Sequence, residues 1–316
     1  MTTQGMDRRL FIQGAVAAAA GLAIGSAGRA AAQGAKAYEI SLAQWSLNRQ
    51  FFGRGGADKL DPMDFARIAS SQCGVNAVEY VNQFYFDAIK QPGSLAELKK
   101  RAEGEGVRSV LIMCDREGNL GDPDEKKRVT AVRNHIKWLE WAAELGCHSI
   151  RVNAASSGTY EEQQKLAADG LHMLSEIGDT YDLNVIVENH GGWSSHGRWL
   201  ADVMKMVDHP RCGTLPDFGN FAIQRGGRQG GVSLEYDKYL GVYELMPYAK
   251  GVSAKSYAFD ENGDESSMDF AKLVRIALDS GFKGYIGIEF EGPGEAFDGI
   301  AKTKALLEKI RDTPAA

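Results

Sequence analysis

One repeat limits the fold of this chain more than any other feature. From Tyr38 onward, short runs of apolar and β-branched residues alternate eight times with longer amphipathic stretches. The short runs predict strands, and the longer stretches predict helices because their apolar residues recur at helical spacing. The predicted strands are residues 39–45, 76–81, 107–114, 149–153, 184–189, 213–217, 251–257 and 284–290. Eight strand–helix units over about 280 residues predict a (β/α)8 barrel.

Local signals at the starts of the longer stretches support this interpretation. Asp61 precedes Pro62, and residues 94–97 and 159–162 have the Ser/Thr-x-x-Glu pattern of a capping box. The alternative is a doubly wound open sheet, but no Gly-x-Gly-x-x-Gly sequence follows the first predicted strand. Because no linker or shift in composition divides residues 33–316, they are predicted to form a single barrel domain.

Residues 1–32 differ from the repeat and predict an export signal. Arg8 and Arg9 precede an alanine-rich apolar run, and three alanines at 30–32 provide a small-residue cleavage site. The pattern resembles a twin-arginine signal, which would send the folded protein through the twin-arginine export machinery. We therefore expect a periplasmic or secreted protein with no stable membrane insertion after cleavage. The alternatives are an uncleaved anchor or an alanine-rich tail, but the run is short and interrupted by glycines.

The charge balance argues against a nucleic-acid partner. The chain carries 42 acidic and 36 basic residues, a net charge of −6, and loss of residues 1–32 would make it −8. Binding to phosphates requires clustered Lys and Arg, and the sequence contains no basic block.

Ionisable residues stand at the ends of four consecutive predicted strands, and barrel enzymes bind substrates at the carboxyl ends of their strands. Because side chains alternate along a strand, the two residues named for a strand share a face. The candidates are Glu188 and His190 on the fifth strand, Asp217 on the sixth, Ser253 and Lys255 on the seventh, and Glu289 and Glu291 on the eighth.

Three of these carboxylates, Glu188, Asp217 and Glu289, would repel each other in an apolar setting. A divalent cation would relieve the repulsion, and oxygen ligands favour Mn²⁺, Mg²⁺ or Co²⁺. The alternative is that each acid forms a structural ion pair with a base such as Arg151 or Lys255.

Four segments carry a family resemblance: VENHGG at 187–192, PDFGN at 216–220, VSAK at 252–255 and GYIGIE at 284–289. They resemble the xylose isomerase-like barrel superfamily, which includes sugar phosphate isomerases and epimerases, ketose 3-epimerases, inosose dehydratases and endonuclease IV. The resemblance extends over essentially all of residues 33–316.

The resemblance implies one divalent metal ion (Mn, Mg, Co or Zn) held by Glu188, Asp217 and Glu289. The fourth ligand of the family, a histidine, falls on Ser253, which is a further candidate ligand but a weak one. A second departure is Asn220, where relatives often carry histidine. Endonuclease IV also needs several more histidine ligands than this sequence has, so DNA repair is not expected.

The resemblance also implies a mechanism of enolisation. Glu188 and Glu289 would face opposite sides of the reacting carbon, and one would remove the proton that the other returns. Lys255 could donate to the developing oxyanion, and a neighbouring metal would lower its pKa. His190 could carry a proton or bind a hydroxyl group.

The predicted partner is a small-molecule carbohydrate, and the export signal favours one without a phosphate. The candidate substrate-binding residues are Trp45, Glu79, Arg151, Asn153, Trp193, Asn220 and Glu291. A homo-oligomer is a further expectation. The glycine-rich residues 225–231 predict a loop after the sixth strand.

The function predicted from these features is a sugar isomerase or epimerase. Two alternatives remain open at this point. One is a keto-sugar lyase or hydratase that uses the same site for β-elimination. The other is a non-catalytic periplasmic sugar-binding protein that kept the pocket after losing the ligand histidine.

Overall fold

The computed structural model describes residues 36–56, 58–226 and 231–313. The predicted signal, residues 1–32, lies outside them, so export stays a prediction. The described strands are β1 Glu39–Ala43, β2 Ala77–Val81, β3 Arg108–Met113, β4 Ser149–Val152, β5 Asn184–Glu188, β6 Cys212–Leu215, β7 Ala222–Arg225, β8 Val232–Glu235, β9 Val252–Ser256 and β10 Tyr285–Phe290. The described α-helices are α1 Asn48–Phe52, α2 Phe65–Cys73, α3 Ser94–Gly104, α4 Glu125–Leu145, α5 Tyr160–Thr180, α6 Gly197–Val207, α7 Lys238–Leu245, α8 Phe270–Asp279 and α9 Ala296–Asp312.

Eight of the strands form one parallel sheet in the order β6-β5-β4-β3-β2-β1-β10-β9. Isolated parallel bridges between Thr214 and Ala249 and between Asp217 and Ser253 join its two edges, β6 and β9. The predicted (β/α)8 barrel is therefore confirmed, and each of its eight strands overlaps a predicted segment. The seam at which the barrel closes contains two of the predicted site residues, Asp217 and Ser253.

The barrel has two apolar layers. Ala43, Val81, Met113, Ile186 and Leu215 belong to a cluster contributed by strands around the barrel. A larger cluster packs the strands against the surrounding helices. Burial of both layers stabilises the fold and brings the carboxyl ends of the strands together.

The helix caps agree with the sequence at two predicted positions and differ at one. Thr159 and Glu162 form the expected capping box of α5, and Asp61 caps the short helix Pro62–Asp64. At α3 the predicted capping box is wrong, because the N-cap is Gly93 with a φ of 87° and makes no side-chain cap. Glu97 instead accepts a hydrogen bond from Arg101 Nε at 2.8 Å.

Two further strands flank the glycine-rich residues for which the sequence predicts a loop. Strands β7 and β8 pair antiparallel, and residues 227–230 between them lie outside the described part of the chain. The sequence did not predict these strands, because the strand pattern at Ile223 and Gln224 is short and adjoins the glycine-rich residues.

Within the described residues, no helix has both the length and the apolar character needed to cross a membrane.

Substitution of alanine for two helical glycines is predicted to change the free energy of unfolding in opposite directions. A Cβ on Gly170 of α5 would lie 1.8 Å from the carbonyl oxygen of Leu120, whereas one on exposed Gly104 of α3 would meet nothing within 4 Å. Gly170→Ala should lower the free energy of unfolding by about 2–3 kcal/mol through overpacking. Gly104→Ala should raise it by about 0.5 kcal/mol through helix propensity. Urea denaturation measures both, and equal effects would contradict this account of α5 packing.

Candidate active site

Three buried carboxylates converge at the carboxyl end of the barrel. Glu188 ends β5, Asp217 follows β6, and Glu289 lies near the end of β10. One oxygen from each lies within 4.8 Å of an oxygen from both others. The structure therefore brings together the three residues that the sequence analysis selected as metal ligands.

The protein holds one oxygen of each carboxylate. Asp217 Oδ1 accepts the backbone N–H groups of Gly219 and Asn220, both at 2.8 Å. Glu188 Oε1 accepts a hydrogen bond from Asn220 Nδ2 at 2.8 Å. Glu289 Oε1 lies 3.3 Å from Lys255 Nζ. These contacts fix the acids while leaving each a second oxygen for other partners.

Ser253 lies between two of these acids. Its Oγ donates to Asp217 Oδ2 at 2.6 Å and lies 3.0 Å from Glu289 Oε2. Its side chain is buried, and it shares the inner face of β9 with Lys255 as alternation predicts. The hydroxyl of Ser253 therefore lies between the Asp217 and Glu289 carboxylates, inside the cluster of three acids.

The ion pairs of the alternative interpretation are also present. Arg151 Nε lies 2.8 Å from Glu188 Oε2, and its Nη1 lies 3.0 Å from Asp115 Oδ1. Lys255 Nζ contacts Glu291 Oε2 at 3.0 Å in addition to Glu289. Ion pairing therefore occurs, but the two cations serve four acids.

Carboxyl groups outnumber basic side chains at this end of the barrel. Arg151 and Lys255 face six carboxyl groups among the described residues: Glu79, Asp115, Glu188, Asp217, Glu289 and Glu291. Ionised groups out of water are costly unless their charge is compensated. The carboxyl groups that Arg151 and Lys255 do not compensate must therefore either be protonated or be neutralised by a further cation.

The pKa values of three of these buried acids are raised accordingly. Burial raises the pKa of Asp217 to about 8; Lys255 opposes this rise, and Glu188 and Glu289 add to it. Burial likewise raises the pKa of Glu289, and it raises that of Glu79 to about 7. Burial alone would lower the pKa of Lys255, but Glu289, Asp217 and Glu291 raise it well above its usual value. Among its protein neighbours, Lys255 is therefore held in the charged form.

Two buried carboxylate oxygens also lack hydrogen bonds. Glu188 Oε2 has only the close ion pair with Arg151 Nε, whose N–H does not point at it, and Glu79 Oε2 has no hydrogen-bond partner. Buried polar atoms in native proteins are nearly always hydrogen-bonded or bound to an ion. Together with the excess of carboxyl groups over basic side chains, the Glu188 oxygen that accepts no hydrogen bond makes this donor set suitable for a divalent cation.

Four of the predicted substrate-binding residues belong to the network of hydrogen bonds and ion pairs around the three acids: Trp45, Arg151, Asn220 and Glu291. Trp45 Nε1 donates a short hydrogen bond to Glu291, whose pKa is lowered because Lys255 and Trp45 outweigh the effect of burial. Asn220 links Glu188 to Lys255, with its Oδ1 3.4 Å from Lys255 Nζ. Arg151 has its guanidinium between Glu188 and Asp115.

The other predicted residues lie farther from the carboxylates or have different partners. Glu79 is buried inside the barrel and accepts from Ser41 Oγ at 2.5 Å. Asn153 Nδ2 donates to Asp115 at 2.8 Å. His190 is exposed at the rim, where it lowers the pKa of both Asp115 and Glu291. The ring of Trp193 packs edge-on against Tyr160, with 4.9 Å between centroids.

Sequence reasoning missed two residues that organise the site. Asp115 follows β3 and accepts hydrogen bonds from Arg151, Asn153 and Gln83. Although burial opposes it, Arg151, Asn153 and His190 lower the pKa of Asp115 to about 2. Its position directly after a predicted strand could have signalled this role.

Asn189 is the second missed residue. It is fully buried, and its side chain accepts from the backbone N–H of Asp217 at 2.7 Å and donates to the Asp217 carbonyl at 3.0 Å. These bonds tie the end of β5 to the segment after β6. Asn189 lies within the VENHGG segment, but it carries no charge, and its side chain pairs backbone groups rather than facing a substrate or metal.

A sequence model described as xylose isomerase-like TIM barrel matches residues 67–313 of the chain. The C-glycoside deglycosidase alpha subunit of Arthrobacter globiformis is 40% identical over 78 residues, 24% of this chain and 20% of that protein. The chain therefore matches only about a fifth of the length of that relative. A putative hydroxypyruvate isomerase of Mus musculus is 23% identical over 261 residues, 76% of this chain and 88% of that protein.

Two solved structures illustrate the likeness in fold. The 3-keto-D-glucoside 4-epimerase of E. coli superposes with a TM-score of 0.66 at 15% identity, covering 86% of this chain and 99% of that one. The IolI protein with a bound zinc atom has a TM-score of 0.66 at 12% identity, with coverages of 86% and 97%. At these identities the likeness shows the fold alone.

Removal of Arg151 should test how strongly the site depends on its cations. Arg151→Met, assayed by urea denaturation with a chelator present, should lower the free energy of unfolding by about 3–5 kcal/mol because it leaves buried carboxylates unpaired. The matched control is Lys90→Met, which removes an exposed pair with Asp87 and should cost less than about 0.5 kcal/mol. Similar losses in both variants would contradict this electrostatic account.

Proposed function

The chain belongs to the xylose isomerase-like TIM barrel family, and on that premise we propose that it is a divalent-metal-dependent sugar isomerase or epimerase. It would act by enolisation of a non-phosphorylated carbohydrate. The observation that carries the proposal is the convergence of Glu188, Asp217 and Glu289, buried and with oxygens within 4.8 Å of one another.

In this proposal Glu188, Asp217 and Glu289 hold the cation, and Asp217 serves only as a ligand. When bound, the cation supplies Lewis acidity that stabilises negative charge on an enolate oxygen. The neighbouring fold with a bound zinc atom supports a metal in such a barrel, and the oxygen donors are compatible with Mn, Mg, Co or Zn.

Glu188 and Glu289 are the proposed acid and base. Glu188 lies on β5 and Glu289 on β10, and β6 and β9 lie between these two strands in the closed barrel. The two carboxylates therefore reach the mouth of the barrel from different sides. One can remove a proton from the carbon beside a carbonyl, and the other can return it to the opposite face. Proton transfer by a positioned side chain contributes about 10²–10⁴-fold to a rate.

Lys255 is proposed to stabilise the oxyanion. Its carboxylate neighbours keep it protonated, and it is buried, where a hydrogen bond to developing charge is strong. His190, exposed at the rim near Asp115 and Glu291, is proposed to carry protons or to bind a substrate hydroxyl. Trp45 and Trp193 are proposed to offer aromatic surfaces to a sugar, and Asn153 and Glu291 to offer polar groups.

The charge at the barrel mouth favours an uncharged sugar over a sugar phosphate. Arg151 and Lys255 each already pair with two carboxylates. A phosphate dianion would meet further acids there without an unpaired cation among these two. The predicted export signal agrees with this proposal, because sugar phosphates are intracellular metabolites.

A second candidate function is a lyase acting at the same site. Its support is the 40% identity over 78 residues with a C-glycoside deglycosidase alpha subunit. An enolate formed beside a carbonyl can expel a β-substituent instead of regaining its proton. The two candidates therefore share the first step and differ in the second.

Exchange of substrate hydrogen with solvent deuterium tests the shared step. The protein with added Mn²⁺ should exchange the proton beside the carbonyl of a keto-sugar, measured by NMR on a panel that includes ketohexoses and a 3-keto-glucoside. Glu289→Gln should slow exchange about 10²–10⁴-fold. Glu144→Gln, which alters an exposed glutamate paired with Lys99, should leave it unchanged.

The products separate the candidates. A new epimer or isomer would support the isomerase, and release of the aglycone would support the lyase. Binding of these sugars to the metal-loaded protein with no exchange into any of them would contradict the proposal and favour a sugar-binding protein.

A further inference from the structure

The donor atoms that converge at the barrel mouth are all oxygens. Within the described residues, the group able to hold a metal consists of Glu188, Asp217 and Glu289, and the side chain placed among them is the hydroxyl of Ser253. The chemical class of the donors influences which divalent cation a site prefers.

Ser253 occupies a position that determines this class. It lies on β9 at the barrel seam, paired with Asp217 across the closure. Its Oγ donates to Asp217 Oδ2 and reaches to 3.0 Å from Glu289 Oε2, so it orients two carboxylates. As a neutral hydroxyl it adds no nitrogen or sulfur donor and no charge.

The carboxylates themselves are arranged for one-oxygen coordination. Asp217 Oδ1 is held by two backbone N–H groups, and Glu188 Oε1 is held by Asn220. Glu188 Oε2 is buried and accepts no hydrogen bond, although it lies in an ion pair 2.8 Å from Arg151 Nε. One oxygen from each of the three acids would leave a cation several further positions for water or substrate oxygens, as Mg²⁺ and Mn²⁺ require.

Nearby imidazole and thiol groups have other partners or positions. His190 is exposed at the rim and is not a member of the convergent group. The ring of His196 accepts the backbone N–H of Trp199 as the cap of α6. Cys114 is buried next to β3, and its Sγ donates to the Ile112 carbonyl.

We infer that Ser253, because it supplies no nitrogen donor, leaves this a site for an oxygen-preferring cation, Mg²⁺ or Mn²⁺, with little preference for Zn²⁺. The inference rests on the proposed function, since it concerns the metal of the same site. Imidazole favours zinc, whereas carboxylate and water favour magnesium and manganese. A histidine at position 253 should therefore shift the site toward zinc.

Calorimetric titration of the chelator-stripped protein with Mn²⁺ and with Zn²⁺ tests this inference without any assay of activity. The measured quantity is the ratio of the two dissociation constants, Kd for Mn²⁺ over Kd for Zn²⁺. Wild-type protein should prefer zinc by no more than about tenfold, and Ser253→His should raise the ratio at least about tenfold. Ser253→Ala is the matched control, because it removes the hydroxyl without adding nitrogen and should leave the ratio within about threefold.

The outcomes separate this inference from the proposed function. Binding of both metals with the same ratio in wild type and Ser253→His would overturn the inference and leave the proposed metal site standing. Absence of binding of either metal to wild type would overturn both. If Ser253→His does not fold, the wild-type ratio still decides, and a zinc preference clearly above about tenfold would contradict the inference.

Discussion

Repulsion among three buried carboxylates is the constraint on which the rest of the site depends. Glu188, Asp217 and Glu289 are almost completely removed from solvent, and burial raises the pKa of Asp217 to about 8. A protein tolerates such a group only if other interactions compensate it. Arg151 and Lys255 compensate part of the charge, and the backbone N–H groups after Asp217 orient its carboxylate. What remains uncompensated is the chemical basis for the proposed cation.

The barrel makes this arrangement possible because the residues that stabilise the fold and the residues of the candidate site occupy different parts of it. Apolar side chains from the strands and the enclosing helices form the core, while polar residues occupy the carboxyl ends of the strands. The seam between β6 and β9 places Ser253 directly against Asp217, and Asn189 ties β5 to the same segment. Strand pairing therefore sets the positions of the acids before any ligand contributes.

The sequence was sufficient to predict the barrel and the three acids, for identifiable physical reasons. Hydrophobic periodicity reveals strands and helices, and alternation within a strand places Lys255 on the same face as Ser253. The sequence was not sufficient to predict the roles of residues whose hydrogen-bond partners are set by the tertiary structure. Asp115 and Asn189 organise the site through hydrogen bonds to residues distant in sequence, and Glu97 pairs with Arg101 instead of capping α3. Short strands next to glycines, such as β7 and β8, give a signal too weak to distinguish from a loop.

Metal analysis of the protein purified without chelator tests the central claim most directly. Wild-type protein should contain about one Mn, Mg, Co or Zn ion per chain, and Asp217→Ala should lose it because one of three converging ligands is gone. Asp202→Ala, which alters a surface aspartate paired with Arg198 and Lys205, should retain the ion. A wild-type protein that holds no metal even after incubation with millimolar Mn²⁺ would contradict the account.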